Sequence, residues 1–578
     1  MRLIDINAFL KREEAMSMEM QVERRAKVFD FHDDEAIEYA ILSHRWIGDT
    51  EVNYDEMADL AKMEKGERNE IRERIGYKKI LDTCRQAKKD GYEWVWVDTC
   101  CIDKRSSAEL SEAINSMYRW YANAKACYAY LHDVDGSSFP TKKDDDKYPK
   151  SNGWPEWFSR GWTLQEMIAP SDVQFFNENW QHIGDKKTLW WILTVITGVP
   201  PRILTNGPGT DRPCVAQIIS WAANRTTTRV EDRAYSLMGL LDVNMPMLYG
   251  EGRKAFHRLQ LEIIRSSNDQ SIFAWGHNSE NVRIGSILAD DPSFFADCSY
   301  IRLMNHDEFI QLSKRRFPEL GLMDADDGVF LVTNRGIQIR MLLHPYPESK
   351  FVFRIYLPFW TRDWSLVTIN LVLWNSNYYR YPNVQEAGFG DSPEFRQVYL
   401  RYQDTPNHAV RFEVDDSGLT ENVFICSNED PEEHTGNTFM LTNTDPFCLR
   451  TYSAEQGNYR FKVVFGQCFG RDWVHVEYVP LGTTPGTDLV ASISRGPDLA
   501  VPIVSDGPFH NSLSGKLWIR HFHLPGTLWV VRTYRVEWKR SQIRIRMEIF
   551  HDPLFRSKLD SWKVYDVEVS NFPMHLDH

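Results

Sequence analysis

The first third of the chain alternates short apolar runs with amphipathic stretches. Tyr39-Ala40-Ile41-Leu42 ends in the polar Ser43-His44-Arg45-Trp46, the pattern of a buried strand running into a loop. A helix follows over about 77–89, with Ile80, Leu81, Cys84 and Ala87 on its apolar side and Gly91 as the stop signal. Glu93-Trp94-Val95-Trp96-Val97-Asp98 reads as a second strand. A second helix begins after Ser106 or Ser107 as N-cap, with Glu109 in its first turn and Ile114, Met117 and Tyr121 along one face. Ala126 to Leu131 and Val173 to Phe176 supply two more strands, and between them Trp162 and Glu166 fall four residues apart on one helical face.

Four strands alternating with three helices imply an α/β fold in which a parallel sheet carries helices on both faces and polar groups gather at the carboxyl ends of the strands. Ser43, His44 and Arg45, then Asp98 to Asp103, then His132 and Asp133 are directed to that rim. There, an aromatic platform beside a carboxylate suits the holding and cleavage of a nucleotide. The same residues also fit an ordinary core tryptophan and a solvated glutamate.

Residues 185–275 read as helices that brace the first domain, with Ile218, Trp221 and Ala222 in one segment and Phe256, Leu259, Ile263 and Ile264 in another. Arg225, Arg229 and Arg233 are solvated and ion-paired, or form an anion site. From residue 276 the period changes to two, with turn signals at Asn334-Arg335-Gly336, Ser417-Gly418 and Pro525-Gly526, as expected of a C-terminal antiparallel β-sandwich-like domain. Its tryptophans, among them Trp360, Trp364, Trp374, Trp518, Trp529 and Trp538, fill a core or form an exposed cluster for a carbohydrate or partner protein. The expected organisation is therefore 1–184, 185–275 and 276–578.

Composition narrows the function classes. A chain of 578 residues exceeds one core, and a formal net charge of -14 argues against a general nucleic-acid-binding surface. Nine cysteines without a Cys-x-x-Cys spacing fit a reducing compartment. No 18-residue apolar run or signal-peptide pattern is visible, so the expectation is a soluble cytoplasmic protein without a membrane span. A phosphate-binding Gly-x-x-x-x-Gly-Lys-Ser/Thr loop is absent. Cys100 and Cys101 are adjacent and point to opposite faces of an extended segment, which suits packing and not a zinc pair; a thiol protease would need Cys101 partnered by His44 or His132. Asp98 and Asp103 either cap the following loop or face a cation.

Three blocks in order carry a resemblance: Tyr39 to Trp46, then Trp96-Val97-Asp98-Thr99-Cys100-Cys101-Ile102-Asp103 with Glu109 and Met117 to Tyr121, then Arg160-Gly161-Trp162-Thr163-Leu164-Gln165-Glu166. Residues 37–180 resemble the HET (heterokaryon incompatibility) domain of filamentous fungi. The segments Glu231 to Gly239 and Tyr249-Gly250-Glu251-Gly252 look like the helical region that often follows it. The HET domain in turn resembles the TIR domain, which implies a flavodoxin-like sheet and, for those members that hydrolyse NAD, a catalytic glutamate at the position of Glu166. The resemblance places Trp162, Arg45, Ser43, Trp46, Asp98, Cys101, Asp103, Glu109 and Arg160 among the residues around bound NAD. It implies NAD as substrate with no further cofactor and no metal, a homo-oligomer when active, and a role in cell death. The alternative it leaves open is a catalytically silent adaptor acting through protein contacts. Two features depart from the TIR pattern: Lys104-Arg105-Ser106-Ser107 lacks a glycine, and the connection from Asp133 to Trp157 is long.

Overall fold

The computed structural model describes residues 1–18, 28–207, 212–277, 282, 285–320, 329–346, 352–374, 376–381, 392–403, 410–420, 424–427, 438–441, 447–454, 460–468, 471–478, 517–523, 529–539, 542–551 and 564–569. The chain divides into two compact units. One takes residues 1–276, 288–306 and 358–367, and the described residues of the other fall within 277–287, 307–357 and 368–578.

The first unit is built on a seven-stranded sheet of β1 (Arg2–Asp5), β2 (Phe29–Phe31), β3 (Ala40–His44), β4 (Trp94–Trp96), β5 (Ala126–Tyr130), β6 (Val173–Phe176) and β7 (His182–Asp185). Their order is β2-β1-β4-β3-β5-β6-β7. The four central strands β4, β3, β5 and β6 are mutually parallel, while β1, β2 and β7 pair antiparallel at the edges. Every residue of β3 and β5 is buried, which is why both read as almost unbroken apolar runs. The register sets Ser43 opposite Ala129 and His44 opposite Tyr130, so β3 delivers its polar end to the carboxyl edge of the sheet.

Around this sheet lie α1 (Ile6–Ser17), α2 (Tyr54–Asp59), α3 (Lys65–Glu73), α4 (Ile75–Lys89), α5 (Ser107–Asn123) and α6 (Thr163–Ile168). The expected helix over 77–89 is α4, which buries Tyr77, Ile80, Leu81, Cys84 and Ala87. Ser106 caps α5 by accepting the Glu109 amide at 3.3 Å, with the Glu109 charge in the first turn. The six residues of α6 are all buried, and Trp162 stands just before its first turn.

The same unit continues in α7 (Trp190–Thr197), α8 (Pro201–Asn206), α9 (Val215–Ser220), α10 (Asp232–Tyr235), α11 (Met238–Leu241) and α12 (Lys254–Ser266). The backbone of α11 approaches α5 so closely that a methyl group on Gly239 would lie 2.1 Å from Tyr118 Cβ and 2.7 Å from Tyr118 Cγ. Gly239→Ala is therefore expected to cost about 2 kcal/mol through forced separation of the helices. Gly66→Ala, where nothing lies within 4 Å of the added carbon, should be neutral or stabilising. Thermal unfolding of the two variants side by side checks this.

In the second unit the expected sandwich gives way to a closed barrel. After the two-residue strands β8 (Arg302–Leu303), which falls in the first unit, and β9 (Leu331–Val332) come β10 (Ile337–Pro345), β11 (Val352–Trp360), β12 (Leu366–Trp374), β13 (Asn377–Tyr381) and β14 (Glu394–Leu400). β10 pairs with both β14 and β11, and this second pairing closes the row β11-β12-β13-β14-β10 into a five-stranded ring. Ile337, Ile339, Met341 and Leu343 of β10, with Ile355, Leu371, Val398 and Leu400, are buried. The same inside-outside alternation serves a sandwich or a barrel, and closure is decided by strand pairing. Strands between Val410 and Val569 form a six-stranded and a four-stranded sheet. The side chains of Trp374, Trp518, Trp529 and Trp538 lie outside the described residues. No helix among the described residues is long and apolar enough to cross a membrane.

Candidate functional site

Glu166 sits beneath the carboxyl edge of β3, 6 % exposed. Ser43 Oγ donates to Glu166 Oε2 at 2.5 Å, and Trp157 Nε1 donates to the same Ser43 oxygen at 2.9 Å, making a buried chain from indole to hydroxyl to carboxyl. Tyr121, whose hydroxyl donates to the Leu42 carbonyl at 3.0 Å, also lies within hydrogen-bonding reach of the carboxyl. Burial raises the Glu166 acid, and the nearby Asp98 carboxylate raises it further, to about 8. Ser43, Arg160 and Tyr121 act in the opposite direction.

A buried arginine faces the same centre. Arg225 is 3 % exposed, and its Nη1 donates to the Arg160 carbonyl at 2.8 Å and to Thr163 Oγ1 at 2.9 Å. Burial lowers its guanidinium to about 9, and Glu166 is the charge that supports it. Its segment is tied to the chain entering α6. Thr226 N donates to the Ser159 carbonyl at 2.6 Å, Gly161 N donates to the Thr226 carbonyl at 2.9 Å, and Arg160 and Thr226 form a parallel bridge. Arg229 stacks on Tyr249 at 4.3 Å, and Arg233 is paired with Asp291 at 2.6 Å, so the three arginines do not share one anion site.

The rim above is polar and interlocked. Trp46, 40 % exposed, donates its Nε1 to Asp98 Oδ2 at 2.8 Å, and the Lys104 ammonium lies 3.7 Å from its ring centre. His44 Nδ1 lies 3.9 Å from Asp98 and its Nε2 3.5 Å from Glu51. Burial works against the Glu51 charge, but the neighbouring His44 and Lys79 outweigh it and hold the acid at about 2. Arg45 forms an ion pair with Glu156, which also lies 3.8 Å from His132.

The residues singled out in the sequence thus divide into two groups. Ser43, Arg45, Trp46, Asp98 and Arg160 gather around or above Glu166. The others are placed differently: Trp162 is half-buried and hydrogen-bonded to Asp232. Cys101 is buried, its sulfur 3.4 Å from the Val97 amide. Asp103 is engaged by Arg105 at 2.9 Å, and Glu109 takes Arg2 at 2.7 and 3.1 Å while accepting the Asp103 amide. Trp157, Tyr121 and Arg225 belong to the centre but were not marked for it. Tyr121 looks like part of an apolar helix face, Trp157 lies in a short 3-10 turn, and Arg225 comes from a segment 65 residues beyond Arg160. Among the described residues no group of three His, Cys, Asp or Glu side chains is arranged to hold a metal ion. The centre offers a carboxyl that changes charge near neutrality, fixed by Ser43 and flanked by cations, which is the equipment of a general base or of a carboxylate that meets positive charge.

Residues 39–152 match the family model described as heterokaryon incompatibility protein (HET), and residues 254–286 match a domain of unknown function (DUF8212). Over 231 residues, 39% of this chain, the sequence is 46% identical to the vegetative incompatibility protein HET-E-1 of Podospora anserina. That stretch is 16% of the Podospora protein, so the chain covers about a sixth of its relative's length. A solved structure of the Xerocomus chrysenteron lectin XCL aligns with 25% of this chain and 98% of the lectin at 10% identity and a TM-score of 0.17, too low to carry an argument.

Proposed function

We propose that this protein acts in heterokaryon incompatibility through a TIR-like amino-terminal domain in which Glu166 cleaves NAD at the nicotinamide N-glycosidic bond, on self-association. The observation that carries the reading is the buried Trp157-Ser43-Glu166 chain at the carboxyl end of a parallel strand. Ligands of open parallel sheets lie at that edge, and the order β4-β3-β5-β6 of the parallel strands is the one a flavodoxin-like sheet has. The match of residues 39–152 and the likeness to a vegetative incompatibility protein support the biological setting.

In this reading, hydrolysis breaks the bond between ribose C1′ and the pyridinium nitrogen. The bonding electrons return to nicotinamide, which leaves neutral, while water adds at C1′ and gives up a proton. Glu166 stabilises the oxocarbenium character that develops on the ribose and takes the proton from water. The pyridinium of NAD would itself favour the ionised carboxylate, so substrate entry moves the group toward its active form. The half-open indole of Trp46 offers a face for a planar base, and Arg45 and Arg160 offer charge to the diphosphate.

One observation favours the adaptor reading: Glu166 is 6 % exposed and already occupied by Ser43, as in a purely structural core. NAD consumption by the purified full-length protein and by Glu166→Ala, across a protein concentration series with products separated and folding checked, decides between them. Turnover that rises steeply with concentration and disappears in the variant is expected. Equal NAD loss in a folded variant rejects Glu166 as the catalytic residue, and no loss at any concentration favours the adaptor.

A further inference from the structure

In the first unit, residues 151–159, the end of α7, the end of α9 with the turn that follows it and the 3-10 segment Pro292–Tyr300 border a cavity of about 210 Å³. Its exposed lining residues, Asn152, Val195, Gly198 and Asn224, mark the open side, and the buried Trp154, Phe158, Trp221 and Arg225 form the inner wall. Sites for drug-sized molecules begin at about 300 Å³, so this one suits a single ring with one polar substituent. A lone water needs only about 10–15 Å³ and would leave most of the space unfilled.

Two buried donors of this wall, Trp221 Nε1 and Arg225 Nη2, have no acceptor among the described residues. Both side chains are more than nine-tenths buried, Trp221 at 5 % and Arg225 at 3 % exposure. The rest of Arg225 is engaged: Nη1 serves the Arg160 carbonyl and Thr163 Oγ1, and Glu166 supports the guanidinium charge. A methyl group on Gly198 would lie 4.0 Å from Trp221 Cδ1, the ring atom bonded to Nε1, so the indole turns its N–H edge toward the Gly198 side of the cavity. The hydroxyls of the wall are already spent as donors, Ser159 to the Glu156 carbonyl at 2.7 Å, Thr197 to Leu193 at 2.6 Å and Ser220 to Gln217 at 2.7 Å. Gln217 Nε2 donates to the Ser299 carbonyl at 2.9 Å, which locks α9 against the 3-10 segment and fixes the shape of the space. A buried N–H without an acceptor is costly, and the cost is recovered when a ligand brings one.

We propose that this cavity binds a small aromatic carboxylate, with its oxygens on Trp221 Nε1 and Arg225 Nη2 and its ring against Trp154 and Phe158. A carboxylate presents two acceptor oxygens to the two donors, and the bond to the guanidinium is charge-assisted, which makes it shorter and stronger than a bond between neutral groups. The aromatic faces of the inner wall supply the contact area for a flat ring. Ser43, Trp46, Asp98 and Glu166 do not line the cavity, so the site is separate from the proposed NAD site. Arg225 belongs to both the cavity wall and the Glu166 centre, and an occupant therefore lies one side chain from the carboxyl.

Isothermal titration calorimetry of the full-length protein with benzoate and with benzamide, which has the same shape without the charge, tests the assignment. Saturable benzoate binding is expected, with benzamide about tenfold weaker. Benzoate affinity should fall by about tenfold in Trp221→Phe, which keeps a ring and loses the N–H. It should fall also in Val195→Trp, where a larger side chain at a position 69 % exposed narrows the entrance without touching the core. Trp46→Ala should keep benzoate binding, which separates this site from the NAD reading whatever becomes of that reading. Absence of saturable heat in the unaltered protein, or an unchanged affinity in both folded cavity variants, overturns the proposal. Benzamide binding as tightly as benzoate rejects a carboxylate ligand, and binding lost in Trp46→Ala but kept in Trp221→Phe places the probe on the rim instead.

Discussion

Glu166→Gln is expected to stabilise the protein at alkaline pH and to leave its stability almost unchanged in acid. The folded-state acid lies at about 8, raised from an ordinary value of 4.5 chiefly by burial. Between those two values the folded chain binds a proton that the unfolded chain has released, so stability falls as pH rises. Below 4.5 both states are protonated and the contribution is fully retained; above 8 it is lost. Glutamine keeps the size and the hydrogen bond to Ser43 but has no proton to lose. The difference between the two proteins should grow across this window to on the order of a few kcal/mol. Urea unfolding at closely spaced pH values measures it, and parallel curves for the two proteins would show that Glu166 ionises as freely as in water. A gain in stability on removal of the proposed catalytic group is also what a strained active site would give.

Removing the opposite charge should act in the other direction. Arg225→Met deletes the donors to the Arg160 carbonyl and to Thr163 and removes a buried cation whose charge Glu166 supports. A loss of about 3 kcal/mol is expected, in the range for breaking one side of a buried charged arrangement. The double variant Arg225→Met/Glu166→Gln identifies the source. If charge attraction links the two, their effects are non-additive at pH 8, where Glu166 is half ionised and Arg225 still largely charged, and close to additive at pH 6, where Glu166 is protonated. The same coupling at both pH values would show that Arg225 acts through its hydrogen bonds alone.

The parallel core of the first unit was legible because a strand covered on both faces has to be apolar along its whole length, and β3, β5 and β6 announce themselves in that way. The cap at Ser106 was equally local. Other features depended on distant parts of the chain. Which group meets Glu166 is settled by the step from β3 to α6, and the periodicity of either segment says nothing about the other. Trp162 satisfies the helical spacing yet turns to Asp232, while Trp157, outside any regular period, reaches Ser43. The edge strand β7, four residues long and only partly buried, has too short a pattern to read. In the second unit, alternation marked the strands correctly, but it could not distinguish a stack of two sheets from a ring, because that choice lies in the double pairing of β10.

The bridge between Arg160 and Thr226 also bears on heredity. The family match stops at residue 152, before Trp157, Glu166 and Arg225, whereas the stretch shared with the Podospora protein is about twice as long. A recombination event that transplanted only the matched interval into another gene would leave the carboxyl centre behind. One ending after α6 would carry Glu166 without its arginine and without the backbone pairing that holds the approach to the helix. The smallest segment able to move between genes with this centre intact runs from β1 past Thr226, and Arg233, held by Asp291, extends it further. Breaks placed after this helical region should therefore spare the centre, whereas breaks within it should not.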